Sequence, residues 1–231
     1  MTAMTARDQH SFTNDGTVPQ GKIVVLNWFP GTGKYTILRR VKELLSVHAY
    51  LLDNHLLIDP VFALIPDRTP EHHELRRQVR APIFQTISTM VQQGHVILMT
   101  ACLVENSETD SRFLEEHLDM VRGTQTPIYL INAYCEPAVL EQRVASPERV
   151  QGIKTKLTDS NVARMLLQRH RLIEAYTSED DHLNLVVESL DVGGEVDVSA
   201  RSLRQITGLC QTDEDDTSHL QKPMPNATTR A

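Results

Sequence analysis

Cysteine is scarce in this chain of 231 residues: Cys102, Cys135 and Cys210 stand far apart and show no C-x-x-C spacing. That excludes a disulfide framework and a cysteine zinc site, and it favours a reducing compartment. Long apolar runs are missing too, since no stretch approaches the roughly 20 residues that span a bilayer. The opening "MTAMTARDQHSFTNDGTVPQ" lacks the apolar segment of a secretory signal, and Asp8 and Asp15 beside one early arginine do not suit a mitochondrial transit peptide. Asn226-Ala-Thr matches the glycosylation sequon, which without such a signal is a chance match. Together these absences predict a soluble, cytoplasmic protein. Positive charge is also in deficit, with a formal net charge of −7. A general nucleic-acid binder, whose affinity rests on lysine and arginine neutralising phosphates, is thereby disfavoured. Neither internal repeats nor sustained heptads occur.

What is present is ordinary globular composition, 40% hydrophobic and 23% charged, at a length that suits one domain with extensions. Residues 1–20 and 210–231 are polar and aperiodic and are expected to be disordered tails around a domain at 21–209. Inside it, short apolar runs alternate with helical patterns, the signature of a parallel sheet covered by crossover helices. Strands are expected at Ile23–Trp28, His48–Leu52, Val96–Thr100, Ile128–Ala133 and Leu183–Val187, and their unbroken hydrophobicity predicts burial on both faces.

Ile37, Leu38, Val41, Leu44 and Leu45 form a helical stripe after the first strand. A second helix starts at Thr69-Pro70 and carries Leu75, Val79, Ile83, Ile87 and Val91, with Pro82 expected to break or kink it. A long helix is expected after Thr158-Asp159, running through Val162, Met165, Leu166, Leu172, Ile173 and Tyr176. A short one near Val198–Thr207 closes the domain at Gly208.

Between the first strand and first helix lies Asn27–Thr36, "NWFPGTGKYT". Strand, glycine loop, lysine and helix in this order make a phosphate-binding loop: glycines let backbone amides converge on phosphates, the helix start adds partial positive charge, and Lys34 supplies a point charge. Pro30, Gly31, Thr32, Gly33, Lys34, Tyr35 and Thr36 are the expected nucleotide-binding residues. The bland alternative is a strand-to-helix turn in which Gly31 and Gly33 only supply unusual dihedrals. Two positions depart from G-x-x-x-x-G-K-[ST]: Trp28 replaces the first glycine and Tyr35 replaces the hydroxyl that ligates magnesium. Thr36 retains a hydroxyl but faces about 100° further round the helix, which suits contact with a phosphate better than replacement of the missing ligand, although it is the remaining metal candidate there. The third strand ends in "ILMTACLVEN", with no aspartate for magnesium and only Thr100 and Glu105 as nearby polar groups.

The loop, "LLDNHLLIDPV" and "SPERVQGIKTKLTD" together resemble a family of P-loop kinase-like proteins within the broad AAA-type ATPase group, with bacterial and filamentous-fungal members. Some fungal members are ATP-dependent kinase-like proteins of secondary-metabolite gene clusters. The resemblance spans about residues 21–209, and family loops such as "GTGKLT" also carry a bulky residue after the lysine. It implies a three-layer α/β/α P-loop NTPase fold like that of nucleoside monophosphate, shikimate and gluconate kinases. The five-stranded parallel sheet would be ordered 2-3-1-4-5, with a small lid at about 143–158.

The resemblance also assigns roles. Lys34, Asp53, Arg143 and Arg149 are the expected catalytic residues, with Lys154 and Lys156 behind them in the lid. Asp53 ends the second strand and would orient an acceptor hydroxyl or take its proton; alternatively it caps a turn with Asn54. His55 is a further substrate-contact candidate. Arg76 and Arg80 share a helix face at i, i+4 and can grip an anionic substrate, or else form a solvated face paired with Glu71 and Glu74. The implied activity is transfer of the γ-phosphoryl group of ATP, with magnesium, to a hydroxyl of a small molecule, in secondary metabolism. The alternative is a nucleotide-binding regulatory pseudo-kinase without turnover. Expected partners are a nucleoside triphosphate and a small-molecule acceptor, with no nucleic acid and no membrane.

Overall fold

The computed structural model describes residues 20–146, 157, 159–174, 176 and 183–209. The expected tails, and most of the expected lid with Arg149, Lys154 and Lys156, lie outside the described residues. Five strands, β1 (Lys22–Asn27), β2 (Ala49–Leu52), β3 (Val96–Ala101), β4 (Ile128–Tyr134) and β5 (Leu185–Asp191), form one parallel sheet in the order β2-β3-β1-β4-β5. This is the expected order. Because β1 lies between β3 and β4, the loops leaving β1 and β3 emerge side by side at the carboxyl edge of the sheet, where open parallel sheets bind ligands.

Helices α1 (Lys34–Glu43), α2 (His55–Phe62), α3 (Pro70–Gln92), α4 (Glu108–Asp119), α5 (Pro137–Val144), α6 (Ser160–Arg169) and α7 (Val196–Ile206) complete the described elements. The alternation of side chains along each strand divides the apolar interior in two. Ile23, Val25, Ile97 and Met99 pack with Phe84, Ile87 and Val91 of α3 and Phe113, Leu114 and Leu118 of α4. Val24, Leu26, Leu98 and Ile131 face the other way, onto Ile37, Leu38 and Val41 of α1 and Ala200 and Leu203 of α7. The result is a three-layer α/β/α domain. Among the described residues no helix is long and apolar enough to cross a membrane.

Three local expectations need correction. α3 runs unbroken through Pro82; the proline removes the donor for the Gln78 carbonyl, and both residues are exposed, where water can serve that oxygen. α6 stops at Arg169, since His170 turns to extended backbone (φ −126, ψ 144). Leu172 then bridges Val104, and Ile173 N–H donates to the Leu103 carbonyl at 3.4 Å, so these apolar residues cover the loop after β3 rather than extend a helix. β5 begins two residues later than expected and runs on to Asp191, because an edge strand tolerates the exposed Glu188 and Ser189 that interrupt its apolar run. α2 and α4 were not legible as helices: α2 contains Pro60, and α4 is a mostly polar stretch capped by Ser107, whose side chain accepts from Asp110 N–H.

Candidate functional site

The loop after β1 is held in place from both ends. Asn27, fully buried, donates from Nδ2 to the Leu103 carbonyl at 3.1 Å and to Asn132 Oδ1 at 2.9 Å, while its Oδ1 accepts from Leu103 N–H at 2.7 Å. These bonds lock the strand-3 loop beside the strand-1 loop. Gly31 sits at φ +109, where a Cβ would lie 2.4 Å from Val144 Cγ2 of α5. Both the dihedral and the contact require glycine there. Gly33 takes left-handed geometry (φ 82) as the N-cap of α1. Lys34 Nζ donates to the Trp28 carbonyl at 2.6 Å and the Phe29 carbonyl at 2.9 Å, so the ammonium lies inside the curve of the loop.

Phe29 to Thr36 line one side of a cavity of about 1010 Å³. Tyr35 and Thr36 both belong to that lining. Asp53 lines it as well and is only 6% exposed. Thr100 Oγ1 donates to Asp53 Oδ1 at 3.0 Å and accepts from Asn54 N–H at 2.9 Å; His55 N–H adds a longer bond of 3.4 Å to the same carboxylate oxygen. The end of β3 thus provides a threonine that orients a carboxylate from β2. His55 also lines the cavity and pairs with Asp59 at 3.3 Å.

The arginines of α3 take three different environments. Arg77 forms the solvated pairing with Glu74, at 2.7 and 2.9 Å. Arg80 is 5% exposed and makes a two-pronged pair with Glu116 of α4, at 2.8 and 2.6 Å, with its guanidinium 4.2 Å from the Phe113 ring centre. Arg76 is 8% exposed, and among the described residues its guanidinium has no hydrogen-bond partner; Nε is sealed from solvent without one. Burial pushes its pKa down to about 10, and the neighbouring charges of Arg80 and Arg68 add to that. Both Arg76 and Arg80 line the cavity, so neither joins the solvated pairing with Glu71 and Glu74.

Arg143 lies elsewhere. Its guanidinium donates to the backbone carbonyls of Thr32 (3.3 Å), Val192 (2.7 Å), Gly193 (3.3 Å) and Gly194 (3.1 Å), bolting the loop to the turn after β5. It is not among the residues lining the cavity.

Asp110, Arg68, His73 and Phe113 line the cavity but were not singled out from the sequence. Asp110 Oδ2 accepts from Val104 N–H at 3.3 Å, and burial raises its carboxyl pKa against the opposing pull of that bond, Ser107, Arg76 and Arg68. Burial lowers the His73 pKa, helped by Arg76, so the imidazole is biased to the neutral form. A sequence signal existed for Asp110: Ser107-x-x-Asp110 is a capping pattern ahead of Phe113 and Leu114. Among the described residues no three His, Cys, Asp or Glu side chains cluster as a metal site.

No protein-family model matches the chain, and no curated protein sequence matches it. Solved structures do. A candidate kinase from Chloroflexus aurantiacus superposes with a TM-score of 0.51 at 16% identity, over 82% of this chain and 98% of that one. A gluconokinase from Sinorhizobium meliloti gives 0.48 at 14% identity, over 82% and 91%. A shikimate kinase from Bacteroides thetaiotaomicron gives 0.47 at 15% identity, over 81% and 98%. The first of these likenesses, with the strand order and the glycine loop at the N-terminus of α1, places the chain in the P-loop kinase fold.

Proposed function

We propose that the protein is an ATP-dependent phosphotransferase acting on a hydroxyl of a small molecule. The observation that carries the reading is that Lys34 with its glycine loop and the carboxylate of Asp53, oriented by Thr100, line one and the same cavity. In this reading the loop amides and Lys34 hold the triphosphate and stabilise the charge that spreads over the moving phosphoryl group. Asp53 orients the acceptor hydroxyl and takes its proton as the oxygen forms a bond to the γ-phosphorus; the bond from that phosphorus to the β–γ bridging oxygen breaks, leaving ADP and a phosphate monoester.

Thr36 is the hard oxygen donor at the loop fit for magnesium, an ion that keeps several waters and binds largely through substrate phosphates. Bound there, it would neutralise phosphate charge. His55, Arg76 and Arg80 are assigned to the acceptor side, Arg80 through its support of Phe113. Arg149 belongs to the lid in this reading, and Arg143 positions the loop. The motif resemblance supports an acceptor from secondary metabolism.

Trp28 is the single tryptophan and adjoins the loop, so its fluorescence reports occupancy. Titration with ATP should change that signal with wild type and not with Lys34→Ala. ADP should then form when a hydroxylated acceptor is supplied, and Asp53→Asn should abolish it. ATP binding without ADP formation across a broad acceptor panel, unaffected by magnesium, would instead establish a regulatory nucleotide-binding protein.

A further inference from the structure

We propose that Asn27 and Asn132 are positioning residues for the transfer: they close a buried hydrogen-bonded ring that registers the neighbouring wall of the cavity against the phosphate loop, so that loop and wall move as one unit. What the cavity does rests on the phosphotransferase reading; the ring stands on geometry alone. Each asparagine ends an otherwise apolar run, β1 as "IVVLN" and β4 as "IYLIN", and the sheet register sets the two directly opposite one another. Both are buried. An amide at such a site is unfavourable unless its hydrogen bonds are met, and here they are met by each other and by chain segments from outside the sheet.

Asn27 Nδ2 donates to Asn132 Oδ1 at 2.9 Å, and Asn132 Nδ2 donates to the Ile173 carbonyl at 2.9 Å. Ile173 N–H donates to the Leu103 carbonyl at 3.4 Å, and Leu103 N–H closes the ring by donating to Asn27 Oδ1 at 2.7 Å. Asn27 Nδ2 also donates to the Leu103 carbonyl at 3.1 Å, so this side-chain amide serves the main chain of Leu103 as a neighbouring strand would. Such a stand-in is needed because the ladder of β1 with β3 ends where Asn27 meets Ala101. Leu103 is flanked by Cys102 and Val104, both of which line the cavity. Val104 bridges Leu172, and Glu105 N–H donates to the Arg171 carbonyl at 2.8 Å, which carries the tie to the end of α6. That helix presents Val162, Leu166 and His170 to the same cavity. The ring thus joins the strand that enters the phosphate loop to the loop after β3 and the wall formed by α6. A slip of about 1 Å between reacting groups can cost about a hundredfold in rate, and a buried network with its members satisfied resists such a slip.

The test is amide hydrogen exchange in the full chain, resolved by residue with NMR, with and without a non-hydrolysable ATP analogue and magnesium. Ile37 N–H, bonded to the Gly33 carbonyl, reports on the loop; Leu103, Glu105 and Ile173 N–H report on the wall. Val96 N–H, bonded to the His48 carbonyl at the far end of the sheet, reports global unfolding. Wild-type loop and wall reporters should exchange at matched rates, faster than Val96, as parts of one locally opening unit do. The analogue at about a hundred times its Kd should slow them all about a hundredfold, because a ligand that binds only the closed unit lowers the open fraction by that factor. Asn132→Leu leaves the bonds between Asn27 and Leu103 in place but cuts the link to Ile173. At the same multiple of its own Kd, Ile37 should still slow about a hundredfold, while Glu105 and Ile173, which depend on the segment after α6, slow less than about threefold. Asn132→Ser, too short to span Asn27 and Ile173, should give the same split, and it serves if the leucine variant does not fold. A merely structural role moves every rate together and gives no split. Wild-type reporters that exchange at unrelated rates, or at the rate of Val96, overturn the proposal, and so does a variant whose loop and wall stay in step. An analogue that neither slows Ile37 nor changes Trp28 fluorescence overturns the phosphotransferase reading instead, and the rates measured without it still judge the ring.

Discussion

Replacing Arg76 by methionine should make the folded protein more stable while removing acceptor binding. Burial pushes the Arg76 guanidinium from its ordinary value down to about 10, with Arg80 and Arg68 as secondary causes. At about 1.4 kcal/mol per tenfold, that amounts to about 3 kcal/mol set against the charged form in the folded state. The sign follows from the direction: a base with a depressed folded pKa loses stability wherever it is charged, which here is everywhere below about 10. The gain from methionine should therefore be constant across neutral pH. That penalty on the charged form is already net of the attraction to Asp110 and Glu116; methionine keeps most of the aliphatic stem but forfeits the contact with the Phe113 ring, at 5.9 Å, so a net gain of about 1–2 kcal/mol is expected. For a domain of this size that raises Tm by about 2–8 °C. Urea denaturation followed by Trp28 fluorescence should show a higher midpoint with an unchanged slope. A midpoint that is unchanged or lower would refute the reasoning, since Arg76 would then be satisfied inside the ligand-free protein.

Glu116→Ala should do the opposite, costing about 3–5 kcal/mol by leaving Arg80 buried and unpaired, and the same urea titration measures it. Gly31→Ala should cost roughly 1–3 kcal/mol and impair ATP binding, because its φ of +109 and the 2.4 Å approach to Val144 both resist a side chain. Gly33→Ala, with nothing within 4 Å, carries the dihedral strain alone and should be the milder of the two. His117 is fully buried, donates from Nδ1 to the Phe113 carbonyl and has an Nε2 without a hydrogen-bond partner among the described residues; burial holds its pKa down to about 4. On acidification the unfolded chain therefore takes the proton first, near 6.5. Stability present above that pH should fall by about 3 kcal/mol as pH drops toward 4. His117→Leu should flatten that part of the stability profile.

Much of the fold was legible because it depends on local pattern. Continuous apolar runs marked the interior strands, and Thr69 with Pro70 announced α3, where the threonine side chain indeed accepts from His72 N–H. The glycine loop was legible for the same reason: φ above zero at Gly31 and Gly33, and a lysine at the helix start, are requirements of a few consecutive residues. Two of the mistakes share one cause. Pro82 inside α3, and Leu172 and Ile173 beyond the end of α6, carry periodic patterns whose outcome depends on solvent at one site and on the strand-3 loop at the other.

The candidate site divides along the same line. The sequence by itself determined that a phosphate-binding loop precedes an amphipathic helix, that a parallel sheet carries it, and that Asp53 ends the second strand. Only the tertiary structure decided what the cations do. Arg76, Arg77 and Arg80 are the same residue type on one helix, and their spacing separates Arg77 from the face shared by Arg76 and Arg80 but cannot tell those two apart. Glu116, 36 positions downstream, claims Arg80. Glu74 claims Arg77, and Arg76 is left facing the cavity. Arg143 was expected to face the phosphates from the lid and instead ties Thr32 to Val192 across the domain. A guanidinium is directed by whichever acceptors the folded chain brings within reach, and that is a property of packing that no run of neighbouring residues contains.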